Sequence, residues 1–159
     1  SEGDDDMAMN NDPRNATLKT GEYSKGPGKL LTMDGTTNTL ETTDATNICI
    51  GVSAGDSSRT AAGAIQTAAG ATVSYYPLGG VLMVQCEAAS TFDIGDTVYV
   101  GGAGLATSTT GSNKKLGLYV GDGAHAATAL VANGNGDTDG ALRSEGAMIA
   151  VNTTGAAIA

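Results

Sequence analysis

One short phrase occurs twice in this chain, and the repeat constrains the fold more than any other feature. Ile50-Gly51-Val52-Ser53-Ala54-Gly55-Asp56 is echoed by Leu116-Gly117-Leu118-Tyr119-Val120-Gly121-Asp122. Downstream, Gly63-Ala64-Ile65-Gln66-Thr67 with Gly70-Ala71 is echoed by Gly140-Ala141-Leu142-Arg143-Ser144 with Gly146-Ala147. Upstream, a strand-like run ending at Met33-Asp34-Gly35 leads to Leu40-Glu41-Thr42-Thr43, and its counterpart ends at Val100-Gly101-Gly102 and leads to Leu105-Ala106-Thr107-Ser108. Glycines recurring at matched places set backbone geometry in both copies. The pattern therefore predicts a β scaffold of two similar strand-turn-strand units, over about residues 29–76 and 96–151. Two copies make a duplication rather than a solenoid, which needs about three or more repeats. The frame is duplicated but no reactive side chain is, which points to architecture rather than catalysis.

Lys29 to Met33 reads as a strand, followed by a turn at Asp34-Gly35 and a Thr-rich stretch from Thr36 to Asn47 that fits an exposed strand or wide hairpin. Asn47 to Ser53 alternates, with Ile48, Ile50 and Val52 expected on one face. Asp56 to Gly70 is Ala-rich, but Gly63 and Gly70 favour a loop and short strand over a helix. Ala71 to Tyr76 is a strand ending at Pro77, and Gly79-Gly80 turns into Val81 to Glu87, whose continuous apolar run predicts the best-buried strand. Phe92 to Asp96 is a turn feeding Thr97 to Val100; Leu116 to Val120, Thr128 to Ala132 and Ala147 to Val151 complete the set. Many short strands with glycine turns at a spacing of about 8–12 residues imply an all-β fold, a small β-barrel or β-sandwich.

One β domain is expected over residues 21–159, preceded by an arm over residues 1–20 that is polar, acidic at its front and without periodicity. Met7 and Met9 flank Ala8 there as adaptable apolar contacts, and Pro13 breaks any helix. The whole chain holds 24 Gly, no Trp and one Phe. Burial yields roughly 25 cal/mol per Å² and comes mostly from large side chains, so a partner surface or oligomerisation is expected to supply part of the stability.

Acidic residues number 17 against 8 basic ones. That balance argues against binding nucleic acid, which needs clustered Lys and Arg, and against an anionic membrane surface. It suits a high-salt source as well as an ordinary acidic surface. No run of 18 or more apolar residues is present to span a membrane. The first residues lack the basic and apolar regions of a signal peptide, though a processed N-terminus would look the same.

Gly51-Val52-Ser53-Ala54-Gly55 matches the G-x-S-x-G nucleophile elbow, which works only where a strand turns sharply into a helix. The second copy keeps both glycines and puts Tyr119 where Ser53 stands, so the glycines serve the fold. His125 is the only possible base and lacks the companions that zinc would need. Asn135, Asp137 and Asp139 match the first half of an EF-hand loop, but the bidentate acid should fall at Gly146, and a plain turn competes with a weak calcium site. Cys49 and Cys86 lie in apolar runs and read as buried small hydrophobes, with a disulfide or metal pair as the alternative. Asn15-Ala16-Thr17 and Asn152-Thr153-Thr154 fit the N-glycosylation pattern. No catalytic group and no cofactor is expected.

Leu30-Leu31-Thr32-Met33-Asp34-Gly35-Thr36-Thr37 leading to Ile50-Gly51-Val52 is similar to the lambda-type capsid decoration (head-stabilising, cement) proteins of tailed viruses. Phe92-Asp93-Ile94-Gly95-Asp96-Thr97-Val98-Tyr99-Val100, then Leu116-Gly117-Leu118, resembles a related set of virion proteins. The resemblance covers roughly Lys29 to Val131 through short, turn-dominated motifs. It implies a β-tulip-like domain on the capsid outer surface, bound to the major capsid protein as a homo-trimer. The N-terminal arm, with Met7, Met9, Pro13 and Leu18, would then lie on the capsid lattice. The Asp56 to Gly70 segment and the Thr128 to Thr138 loop depart from the family pattern. The other reading is a virion turret or fibre, or a cell-surface adhesin, presenting loop tips such as Asn133 to Gly140 to host glycans. A hydrolase using Ser53 is a third.

Overall fold

A computed structural model describes residues 13–19, 27–54, 72–121 and 145–154, and these described residues form ten strands in two sheets. In chain order they are β1 (Arg14–Thr17), β2 (Leu30–Asp34), β3 (Thr39–Thr42), β4 (Gly51–Ser53), β5 (Thr72–Pro77), β6 (Val81–Gln85), β7 (Thr97–Val100), β8 (Ala106–Thr107), β9 (Lys115–Gly121) and β10 (Met148–Asn152). The first sheet has the order β1-β5-β4-β2-β3 and the second β6-β10-β9-β7-β8, all antiparallel. Counted from its own first strand, each sheet follows one and the same path. The fold is all-β.

Local chemistry sets the turns. Asp34 Oδ1 accepts the backbone N–H of Thr36 at 2.8 Å, so the carboxylate substitutes for a ladder partner as β2 reverses into β3. Before β7, Asp96 Oδ2 accepts the Asp93 N–H at 2.9 Å, and Gly95 takes φ +97°, a left-handed conformation that a side chain would strain. Gly79-Gly80 carries the chain from one sheet to the other instead of closing a hairpin.

Each sheet curls until its edges touch, but only at one point. Leu18, just past β1, makes a parallel bridge to Leu40, and Cys86, just past β6, makes one to Ala106. The next residue repeats the match: the Lys19 N–H donates to Leu40 O and the Glu87 N–H to Ala106 O, both at 2.8 Å. Neither sheet closes into a barrel. The arrangement is of the sandwich type, because the main core joins Leu30, Cys49 and Val52 of the first half to Val84, Phe92, Val98, Leu116, Tyr119, Ile149 and Val151 of the second. A smaller core of Leu18, Leu31, Leu40 and Val73 fills the opposite face of the first sheet.

The repeated glycines sit where strands crowd. A Cβ on Gly51 would meet the Tyr75 ring at 2.5 Å and Tyr76 O at 2.7 Å; on Gly117 it would strike Asn152 O. Both positions lie on the middle strand of their sheet.

Three expectations need correction. Residues 14–17 of the presumed arm are strand β1, paired with β5 in the register Arg14↔Tyr75 to Thr17↔Thr72, and Leu18 is buried. Strand β6 is not the best buried: it is an edge strand with one face inside, so Val81 and Met83 stand 53% and 38% exposed. Strand β4, the two-residue β8 and the centre of β10 are buried at every position. Ile48 is exposed while Cys49 is buried, because the ladder begins only at Gly51 and the alternation expected before it does not apply. The expected segments Asp56 to Gly70 and Thr128 to Ala132 lie outside the described residues.

Candidate functional site

Cross-strand register places equivalent side chains of the two sheets in equivalent rows. In the first sheet Leu30 faces Val52 and Val52 faces Tyr76. In the second, Thr97 faces Leu118 and Leu118 faces Asn152. The two rows differ in what lies over them. Leu30 and Val52 are buried in the main core with Tyr76 packed against it. Leu118 is 45% exposed.

Leu118 is not alone. Val120 lies two residues on along β9, on the same side of the strand, and is also exposed. On the other flank of Asn152 stands Val81, with Met83 two residues further along β6 opposite Ala150. A bulge between Ala150 and Val151 re-registers β10 against β9 beneath this patch. Apolar side chains from β6 and β9 thus share one open sheet face across β10. Exposed apolar groups scattered singly need no explanation, but a contiguous patch marks a contact surface.

The patch continues into an apolar groove of about 320 Å³ at the junction of the sheets, lined by Pro27, Val52, Tyr76, Leu82, Met83 and Met148 among others. Its walls are held by backbone. Gly28 O accepts the Gln85 N–H at 2.8 Å and the Gly28 N–H donates to Ser53 O at 2.9 Å, so residue 28 stitches β4 to β6. The Met148 side chain fills the space where a Cβ on Gly28 would sit.

Ser53 borders this groove but is built into the fold. It is 2% exposed at the end of β4, its Oγ accepts the Lys29 N–H at 2.9 Å, and its Cα partner is Tyr75. That geometry is a strand residue tied to its neighbours. His125, Asn135, Asp137 and Asp139 lie outside the described residues, as do Met7 and Met9. Of the arm residues that are described, Pro13 is exposed just before β1 and Leu18 is inside the smaller core, so these two do not share a contact surface.

Cys49 and Cys86 are both buried. Burial pushes the Cys49 thiol up to about 12, against the smaller opposing effect of backbone hydrogen bonds. Asn15 is a β1 residue whose Oδ1 accepts the Ser74 hydroxyl at 2.7 Å, and Asn152 lies in β10 with its Oδ1 accepting the Thr154 N–H at 3.1 Å. Among the described residues no group of three or more His, Cys, Asp or Glu side chains is placed to hold a metal ion.

The clearest electrostatic feature lies at the seam of the first sheet. Lys19 Nζ reaches Asp34 Oδ2 at 2.7 Å and Glu41 Oε2 at 2.8 Å. The Asp34 hydrogen bond, then that of Glu41, holds the ammonium above its ordinary range, and the same contact with Lys19 holds the Asp34 carboxyl below its usual value. The second sheet uses a different device at the same place: Glu87 Oε1 accepts the Gly102 N–H at 3.2 Å and fills the space beside Gly101.

The chain matches no protein-family model, and no curated protein matches it significantly.

The open apolar face is the feature that sequence reasoning missed. Its residues were legible as strands, but Val52 and Leu118 are both apolar residues after a glycine, and only the packing of one half on the other separates them.

Proposed function

We propose that this protein is a non-enzymatic structural component of a virion, a decoration protein that docks on the outer surface of the major capsid protein lattice and stabilises the head. One observation carries the reading: the row that the first sheet buries under the second half stands open in the second sheet, with Val81, Met83, Leu118 and Val120 exposed beside it. An apolar sheet face of this kind gains free energy when covered, at roughly 25 cal/mol per Å² of apolar area. Repetition of one such contact over a shell lets a modest affinity per copy act collectively, and binding the assembled state stabilises it by linkage. The homo-trimer implied by the family resemblance is part of this proposal.

The test is co-sedimentation with empty shells of the major capsid protein from the same virus. The full chain pellets with shells, and Leu118→Asp stays in the supernatant while melting like the parent. A second arm of the experiment removes residues 1–12 only, because Arg14 to Leu18 belong to the first sheet and its smaller core. Failure of the full chain to pellet, or pelleting unchanged by Leu118→Asp, refutes the reading.

A further inference from the structure

We propose that a polar cleft on the β7–β8 side of the second sheet binds a neutral saccharide. The cleft measures about 400 Å³. Strand β7 alternates strictly, so with Val98 and Val100 fully buried, Thr97 and Tyr99 face outward. The chain leaving β8 brings Ser108 and Thr110 to one side, and the loop before β7 brings Thr91 and Asp96 to the other. The two walls are joined where the Thr91 N–H donates to Ser108 Oγ at 3.4 Å. Phe92 lies in the floor, buried and stacked on Tyr119 with ring centroids 5.4 Å apart.

The lining selects its ligand by chemistry. Each of the five hydroxyls, on Thr91, Thr97, Tyr99, Ser108 and Thr110, can both donate and accept. Asp96 spends Oδ2 on the Asp93 N–H at 2.9 Å, which fixes the carboxylate and leaves Oδ1 able to accept from two adjacent ligand hydroxyls. The Tyr99 ring offers an apolar face for the C–H side of a pyranose. Among the described residues no Lys or Arg lines the cleft, so a phosphate, sulfate or carboxylate ligand would meet no counter-charge from them. A single carboxylate is too few oxygen ligands for a calcium ion. A small, uncharged, polyhydroxylated molecule with one apolar side is what remains.

The matching positions of the first sheet, among the described residues, are not free to form such a surface. The residue matched to Thr97 is Leu30, fully buried, and Thr32, next outward on β2, commits its hydroxyl to Ile48 O at 2.9 Å. The cleft belongs to the half whose face is open. It does not rest on the docking role, since it lies at the rim of the apolar patch and uses different side chains.

The experiment applies the full chain to an array of neutral, sialylated and sulfated oligosaccharides, then measures affinity for each retained glycan by calorimetric titration. Retention of at least one neutral glycan is expected. Tyr99→Ala and Asp96→Asn should each weaken it about tenfold, the scale of one lost aromatic or charge-assisted contact. Thr110→Arg, at an exposed position, should fill the cleft and abolish binding with the melting temperature unchanged, which separates loss of the site from loss of the fold. Retention of no glycan, of charged glycans only, or binding indifferent to Thr110→Arg would overturn the proposal. Shell sedimentation is a separate readout, so either reading can fail alone.

Discussion

The two sheets run through the same strand order, yet one hides its outer row and the other displays it. Leu30–Val52–Tyr76 in the first sheet and Thr97–Leu118–Asn152 in the second occupy matching register positions. The first row is apolar throughout and joins the main core; the second places a leucine between two polar residues and leaves it exposed. Backbone topology therefore does not decide which face is interior. The side chains flanking the middle strand, and whatever packs on them, decide it. The inner faces differ less: Leu31 and Val73 in one half and Val98 and Ile149 in the other are all buried. The seams differ in sign, with a lysine reaching two carboxylates in one half and a glutamate capping backbone N–H in the other.

The most severe way to break this comparison is to place a charge at its two middle positions. Val52→Asp buries an unpaired carboxylate and should cost at least about 4 kcal/mol, read as loss of cooperative unfolding in a thermal melt. Leu118→Asp, at the matching but open position, should change stability by less than about 0.5 kcal/mol. Equal effects at the two sites would mean that the second face is covered in solution too. Next comes the other mismatched pair, Ser53 and Tyr119. Tyr119→Ser removes a fully buried ring stacked on Phe92 and should cost about 3–5 kcal/mol by denaturant titration. Ser53→Ala leaves the Lys29 N–H without its hydroxyl acceptor and should cost about 1–3 kcal/mol, with no change in any ester hydrolysis measured alongside.

The smallest effect belongs to the seam. Lys19→Met should lower the melting temperature slightly at neutral pH, since the pair is open to solvent and salt screens it. The sign with pH follows from the shifts. The Asp34 carboxyl is held below its ordinary 3.8, so the pair's contribution is present above that value and fades as pH falls beneath it. The Lys19 ammonium is held above its ordinary 10.5, so the contribution persists below that value and fades only as pH rises further. Parent and variant melts should therefore converge in acid below the carboxylate range and stay apart between pH 5 and 9, roughly the plateau these two shifts define.

Much of the scaffold was readable because turn chemistry is local. Asp34-Gly35, Phe92 to Asp96 and the matched glycines at 51 and 117 marked strands that the structure contains. Strand β1 was not readable. Arg14-Asn15-Ala16-Thr17 has almost no buried side chain, and its place comes from main-chain pairing with β5, which leaves no pattern in residue types. The error over β6 has the opposite cause. Val81-Leu82-Met83-Val84 is apolar at every position, and a run without alternation cannot say which face, or how many faces, will be covered. The open apolar face was hidden for the same reason, while the polar cleft was half legible: Tyr99, Thr97 and Asp96 lie on the turn and strand expected there, but the loops that bring Thr91 and Ser108 together meet only through folding.

The single bridges at the two seams have a consequence for crowding. A strand at the rim of a sheet is a template on which another chain can add, and long bare rims are how β proteins grow into fibres. Here Leu18 against Leu40 and Cys86 against Ala106 turn each outermost strand toward its own opposite number, so each rim is partly guarded by the other. Copies gathered at high local density would then meet flat, through side chains, rather than splice end to end through backbone.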